Sequence, residues 1–221
     1  MAKTAFKNLI EECNSSIDLY QKYLTILRGQ VGKIEEIKKL NSELESKPSS
    51  CKYLDDLKHF NNTTGVILIS FLDLSIGIKN LPDSKSDWEK AYFIKHSFLV
   101  ILETIKKIDP QKGPSYIHQN IGRNSKELRI EFERALLEIR NFAGKEIFSK
   151  IKEVRNNIAG HIDKDLVTYY DTVRDLDGDE AAIAILEFLR PIHRIMNLLV
   201  LYSKEQNVEL RRINKELKEF R

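Results

Sequence analysis

Apolar side chains recur at intervals of mostly three and four along nearly the whole chain. Over residues 4–45 they are Phe6, Leu9, Ile10, Cys13, Ile17, Tyr20, Leu24, Leu27, Val31, Ile34, Ile37 and Leu44. This spacing is typical of one face of an α-helix. Gly29 and Gly32 weaken helix propensity at its centre, so the segment is predicted as one long helix or two in line. A break at 47–50 and a short helical piece over 52–59 follow.

The next segment, 65–80, is the most apolar of the chain, and its pattern also suits a buried strand. The residues that allow both interpretations are Val66, Leu68, Leu72, Leu74, Ile76 and Ile78. A buried helix is predicted, because no other segment resembles a strand partner. Thr63 or Thr64 is expected to cap its N-terminus. Asp73 interrupts the apolar run, which is also short, so a membrane-spanning segment is not expected.

The rest of the chain continues the helical pattern. A helix capped by Ser86 or Asp87 is predicted to extend to about Ile108, where Asp109-Pro110 stops it. Further helices are predicted from Asn124 or Ser125 to Phe142, after Gly144 to about Ile158, and within 162–175. A final pair covers 180–202 and 208–220, and Pro191 is expected to kink the first of the two or to start a new turn. The fold class is therefore all-α, an antiparallel bundle of five or more helices.

One domain is predicted over 1–221. It has a long N-terminal helical region over 1–60, a bundle core over 63–205 and a C-terminal helical extension over 206–221.

Composition narrows the class of protein further. The 221 residues are 42% hydrophobic, which is enough to bury a core and too much for a disordered chain. The net charge of +3 neither requires nor excludes a nucleic-acid partner. Cys13 and Cys51 are far apart, which excludes a disulfide scaffold and a cysteine zinc site. The start MAKTAFKNLIEE lacks the apolar run of a signal peptide, so a cytoplasmic location is expected.

One stretch, 153–163, combines residue types that suit phosphate chemistry. Arg155 is followed directly by Asn156, and His161 comes six residues after the arginine. Three other arginines precede an Asn or Asp, but none of them has a histidine at this distance. The stretch resembles the R-x(4–6)-H motif of the HEPN superfamily over about ten residues. Those proteins are helical bundles, and many are metal-independent ribonucleases of prokaryotic defence and toxin–antitoxin systems.

The resemblance implies a HEPN-like bundle and an RNA substrate, with Arg155, His161 and Asn156 as the catalytic set and no metal or other cofactor. It also implies a homodimer whose two motif helices form one cleft, and a regulatory partner such as an antitoxin. The residue types fit this chemistry: a histidine transfers protons near neutral pH, and an arginine offers a charged planar fork to phosphate oxygens. Asn156 or Asn157 can orient the hydroxyl or the histidine.

Helix geometry places both motif residues beside the apolar stripe of their helix. At about 100° per residue, Arg155 falls about 65° to one side of the stripe and His161 about 55° to the other. The two would then be about 120° apart, so they converge only if the helix bends or ends near Gly160, or if a partner subunit completes the site. The stripe consists of Ile147, Ile151, Val154 and Ile158.

A non-catalytic interaction or nucleotide-binding module is the alternative. In that interpretation His161 bonds free carbonyls at a helix end, and Arg155 pairs with a nearby glutamate. His96 and His193 lie at helical spacing with apolar residues and are predicted to be partly buried and structural. The sequence has no metal-ligand spacing, no P-loop and no dinucleotide-binding glycine motif, so no metal or nucleotide cofactor is expected.

Overall fold

The chain folds as a set of helices packed around one apolar core. The computed structural model describes the backbone of residues 2–43, 48–112, 115, 117, 121, 126–159 and 166–219, and the side chains of 16–39, 54–112, 115, 117, 121, 126–157 and 166–203. Its elements are α1 (Ala2–Glu43), α2 (Pro48–Asn80), a 3-10 turn (Leu81–Asp83), α3 (Asp87–Ile108), α4 (Lys126–Ala143), α5 (Glu146–Val154), a π-helical turn (Arg155–Ala159), α6 (Leu166–Arg174) and α7 (Gly178–Glu219). No strand occurs in the described residues, which confirms the all-α class.

The ambiguous apolar segment is helical and belongs to a longer helix than the sequence indicates. α2 is continuous over Pro48–Asn80, so the predicted N-terminal cap at Thr63 or Thr64 is wrong. The hydroxyl of Thr63 donates to the carbonyl of His59 at 2.8 Å, and that of Thr64 to the carbonyl of Phe60 at 2.9 Å. Both hydroxyls are satisfied within the helix, because a threonine can bond the carbonyl one turn back.

The last helix is also continuous. α7 extends over Gly178–Glu219 with Pro191 inside it, so the predicted pair 180–202 and 208–220 is wrong. A proline in a helix interior costs about 3 kcal/mol. Phe188, Ile192 and Ile195 around it are fully buried, and each such side chain contributes about 1.5–3 kcal/mol. Burial of the apolar face therefore outweighs the local cost.

α1 packs along α2 through residues seven apart. Among its described side chains, 16–39, the buried hydrophobic ones are Tyr20, Leu27 and Ile34, which have the spacing of a two-helix coiled-coil seam. The Tyr20 ring meets Phe71 edge-on, with ring centroids 5.1 Å apart. Lys38 near the other end of the seam forms an ion pair with Asp55 of α2. These contacts fix the register of the two long helices.

α2 lies at the centre of the molecule. It contacts α7 through Phe60, whose ring lies 5.0 Å from that of Tyr202. It contacts α3 through small side chains: Thr104 of α3 donates a hydrogen bond to Ser70 at 2.8 Å. α4 packs on α7, while α5, the π turn and α6 pack on α3. The helix that precedes Arg155 and the π turn that contains it therefore both pack against α3.

Segment Leu54–Asp83 is long and apolar enough to cross a membrane by length and composition alone, with a mean hydropathy of 1.5 in its most apolar window. It is longer than the apolar run seen in the sequence, because the flanking residues continue the helix. In this structure 61% of that window is buried inside the protein. A mostly buried core helix can have the same length and apolar composition as a membrane-spanning helix.

Candidate functional site

The Arg155 motif lies at the end of a short amphipathic helix. α5 buries Phe148, Ile151 and Val154 against the body of the protein. After Val154 the backbone widens into the π turn Arg155–Ala159. π turns are rare and occur frequently at functional sites. The irregularity begins at the arginine that the sequence singles out.

The π turn changes the expected geometry beyond Val154. In a π-helix the hydrogen bonds close i to i+5, so each residue advances by less than the about 100° of an α-helix. The angle predicted between Arg155 and His161 on a regular helix therefore does not apply. Gly160 and His161 lie outside the described residues, so their convergence with Arg155 stays a prediction.

Arg155 itself is half-buried at the rim of the core, as the helix geometry predicts, and Asn156 beside it is exposed. Arg155 donates through Nη1 to the Oδ1 atom of Asn156 at 3.3 Å. Among the described side chains, no carboxylate lies within ion-pairing distance of this guanidinium. The alternative in which Arg155 pairs with a nearby glutamate is thus not seen in this part of the chain.

Asn157 has a different role from Asn156. Its Nδ2 atom donates to the Thr172 hydroxyl at 3.3 Å, and that hydroxyl donates to the carbonyl of Thr168 at 2.7 Å. The π turn is thereby tied to α6. The sequence prediction names Asn156 as the supporting residue, with Asn157 as a possible orienting group. It missed Thr172, because no local pattern links positions fifteen residues apart. Asn156 is the asparagine that contacts Arg155.

A cavity of about 580 Å³ lies beside the π turn, between α3, α5, α6 and α7. Its apolar walls include Ile94, Phe98, Ile147, Val154 and Leu176. Its charged residues are Lys150, Glu153, Asp171, Asp175, Asp177 and Glu180. Five of these six described residues are acidic, and Arg155 is not among the described lining residues. The part of the lining that the structure describes therefore carries an excess of acidic side chains.

Hydrogen bonds favour the charged forms of two residues that line the cavity, Asp177 and Lys150. Asp177 accepts the backbone N–H groups of Glu180 at 3.0 Å and Asp179 at 2.8 Å, and these bonds hold the pKa of its carboxyl below the ordinary value. Lys150 donates to both carboxylate oxygens of Glu180, at 2.7 and 3.0 Å, and this contact raises the pKa of the ammonium group. Among the described residues that line the cavity, the acidic side chains outnumber the single lysine.

The other histidines of interest lie at the surface. His96 and His193 are exposed, so the prediction that they are partly buried is wrong. His96 stacks on Tyr92 with ring centroids 6.3 Å apart and lies 3.9 Å from Asp73, and His193 contacts the Phe71 ring at 6.0 Å. Both histidine side chains lie on the solvent-facing sides of their helices, His96 on α3 and His193 on α7. Within the described residues, no group of three His, Cys, Asp or Glu side chains is arranged to hold a metal ion.

No protein-family model matches the chain, and no curated protein or solved structure matches it either. What the site can do is therefore argued from its own residues.

Proposed function

We propose that this protein is a metal-independent endoribonuclease of HEPN type with an antiparallel helical bundle. Arg155 binds the scissile phosphate, His161 transfers protons, and Asn156 orients Arg155. The observation that carries the proposal is the π turn that begins at Arg155, where α5 departs from regular geometry. A half-buried arginine whose described neighbours offer it no carboxylate is a suitable ligand for a phosphate oxygen pair.

The reaction uses the RNA itself as the nucleophile. The 2′-hydroxyl attacks the adjacent phosphorus, a bond from phosphorus to the 2′-oxygen forms, and the bond to the 5′-oxygen of the next nucleotide breaks. The hydroxyl proton passes to a base, and a proton is delivered to the leaving oxygen, which gives a 2′,3′-cyclic phosphate and a 5′-hydroxyl end. His161 suits the proton transfers, and Arg155 neutralises charge on the phosphorane.

The acidic cavity restricts how RNA can approach. Glu153 and Asp171 line the cavity beside the π turn and would repel a phosphate backbone that entered it. The proposed substrate path therefore crosses the exposed side of the turn, where Asn156 lies. Two copies of the chain, sharing one cleft, and a regulatory partner such as an antitoxin complete the proposal, with a role in defence or as a toxin in the cytoplasm.

The decisive experiment is RNA cleavage in the presence of a chelator. His161→Ala is expected to lower the rate by about 10²–10⁴, the usual cost of losing a proton-transfer group. Arg155→Lys is expected to be impaired as well, because an ammonium cannot bind two phosphate oxygens as a fork does. A substrate with 2′-deoxy at the scissile position is expected to resist cleavage.

The matched controls are surface residues of the same types on α7. His193→Ala and Arg190→Ala remove an exposed histidine and an exposed arginine and should cut RNA at the parent rate. If the purified protein cuts no RNA, or if His161→Ala cuts as well as the parent, the nuclease proposal fails.

A non-catalytic interaction module is the second candidate, and the acidic cavity favours it. Acidic residues around apolar walls suit a basic segment of another protein better than RNA. In that case Glu153→Lys with Asp171→Lys should abolish partner binding, while Arg155→Ala should leave it intact. Pull-down with each variant separates the two candidates.

A further inference from the structure

α4 has two apolar faces, and only one of them packs inside the protein. The inner face buries Leu128, Phe132, Ala135, Leu136, Ile139 and Phe142. On the opposite side, Ile130 is 43% exposed and Leu137 is 56% exposed. These two residues are seven apart and therefore lie one above the other, about 180° from the inner face. They form the apolar part of an exposed patch whose other described residues are Lys126, Arg129, Glu133 and Arg134.

Charged residues flank this outer stripe with opposite signs at equal heights. On the helical wheel Lys126 and Glu133 lie on one flank, about 30–50° from the stripe. Glu127 and Arg134 lie on the other flank, about 50–70° from it. Each residue is the immediate chain neighbour of its counterpart, so Lys126 is level with Glu127 and Glu133 with Arg134. The charge order on one flank is the inverse of that on the other.

Two copies of α4 with this charge pattern can pair opposite charges when a two-fold axis relates them. A two-fold axis parallel to the helices brings the first flank of one helix against the second flank of the other. Glu133 then faces Arg134 of the partner subunit, Lys126 faces Glu127 of the partner subunit, and both pairs occur twice. An antiparallel pairing that packs Ile130 on Leu137 of the partner subunit brings equal flanks together and places Glu133 against the same glutamate of the second copy. Like charges so placed are unfavourable.

We propose that the outer face of α4 binds a second copy of this chain, with the two α4 helices parallel. Ile130 and Leu137 pack against the same residues of the partner, and the flanking charges form the pairs described above. Arg134 now pairs with Glu131 on its own helix, and both groups are more than half exposed, so that pair is weak and exchangeable. The inference goes beyond the proposed function and does not rest on it.

The size of the contact predicts its strength. α4 has 18 residues, and one face of such a helix buries less than the about 1,200–2,000 Å² of a standard stable interface. The pairing should therefore be a reversible association that shifts with concentration. Light scattering across a concentration series should show the mass rising towards twice its value at the lowest concentration. A mass that stays constant up to the solubility limit would overturn the proposal.

The apolar stripe is tested by a double substitution with a matched control. Ile130→Glu with Leu137→Glu should abolish the rise in mass with concentration, because four carboxylates would meet at the contact. Leu19→Glu with Ile26→Glu makes the same change on α1, where the parent side chains are 61% and 55% exposed, and should leave the rise unchanged. A rise in mass that is the same in the α4 variant as in the parent would overturn the proposal.

The charge pairs allow a test by rescue. Glu133→Arg alone and Arg134→Glu alone should each lower the association constant about tenfold or more, because like charges then face each other. The double swap, Glu133→Arg with Arg134→Glu, should restore it. Mixing the two single variants should give a heterodimer, since both of its cross pairs are attractive. Failure of the double swap to restore dimers, or of the mixture to pair, would contradict the parallel arrangement.

Discussion

Asp109 is a buried carboxylate that closes the end of α3. It is 1% exposed, and its Oδ1 atom accepts hydrogen bonds from Arg140 Nη2 at 2.9 Å and Nε at 3.3 Å. The backbone N–H of Gln111 donates to the same oxygen at 3.1 Å. Burial raises the pKa of Asp109, but the bonds from Arg140 and Gln111 outweigh burial and hold this pKa below its ordinary value. The pair joins the α3 end to α4.

Asp109→Asn is expected to lower the free energy of unfolding by about 1.5–3 kcal/mol at pH 7, the usual contribution of a hydrogen bond to a charged group. Because the folded pKa is depressed, this stabilisation is complete above the unfolded pKa. The difference from wild type should start to shrink below about pH 4. It should vanish as the pH falls through the folded pKa.

Urea unfolding at a series of pH values measures this difference. Glu131→Gln, which breaks the exposed pair with Arg134, is the control and should cost less than about 1 kcal/mol. A loss in Asp109→Asn that does not change with pH would contradict the assignment.

Gly77 of α2 lies directly against Ser97 of α3. A Cβ atom at this position would lie 2.3 Å from the Ser97 hydroxyl oxygen, and 3.7 Å from the Ser97 Cβ. The Ser97 hydroxyl is buried and has no hydrogen-bond partner among the described residues. The oxygen therefore conflicts with any side chain at position 77 and gains no bond in return.

We expect Gly77→Ala to destabilise the protein by about 1–3 kcal/mol, the typical cost of overpacking. Ser97→Ala should be neutral or stabilising, because it removes an unsatisfied buried hydroxyl. The double variant should exceed the parent in stability, since an alanine favours helix over glycine by about 1 kcal/mol.

Thermal unfolding of the four proteins in this cycle provides the measurement. Gly29→Ala in α1 is the control and should be stabilising, because an added Cβ would meet no atom within 4 Å apart from its own stretch of helix backbone. A double variant no more stable than Gly77→Ala would refute the packing argument.

At the scale of the element, a hydrogen bond from Asn157 to Thr172 links the π turn to α6. Thr172→Val removes the hydroxyl that accepts from Asn157 and donates to Thr168, while Thr172→Ser retains both bonds. Hydrogen exchange of the amides in 155–159 should accelerate in the valine variant and remain near the parent rate in the serine variant. Amides in α7 should be unaffected in both. Equal protection in the two variants would show that the contact does not hold the turn.

At the scale of the whole molecule, one continuous cluster of buried apolar side chains extends from Tyr20 to Leu199. The single domain predicted over 1–221 should therefore unfold in one step. Trp88, the only tryptophan, stacks on Tyr169 with ring centroids 6.0 Å apart and reports the contact between α3 and α6. Its fluorescence and the far-ultraviolet circular dichroism should show the same urea midpoint. Separate midpoints would divide the chain into more than one domain.

Several element boundaries were predictable because their signals are local. Ser86 was expected as a possible cap of α3, and its hydroxyl accepts the N–H of Glu89 at 3.1 Å. Asp109 ends the same helix where the Asp-Pro pair predicts a stop. Arg155 and Asn156 were found from a motif and lie in contact. Such features depend on residues within one or two helical turns, which a sequence pattern contains in full.

The all-α class and the inner faces of the helices were determined by the sequence, because a period of three to four encodes which side of a helix avoids water. Tertiary structure decided the rest. α2 continues through Thr63 and Thr64, and α7 continues through Pro191. Burial of their apolar faces against other helices stabilises them by more than the few kcal/mol that local preferences at these residues cost. The π turn is tied to α6, and acids from α5, α6 and α7 surround one cavity, since residues far apart in the chain meet only when helices pack.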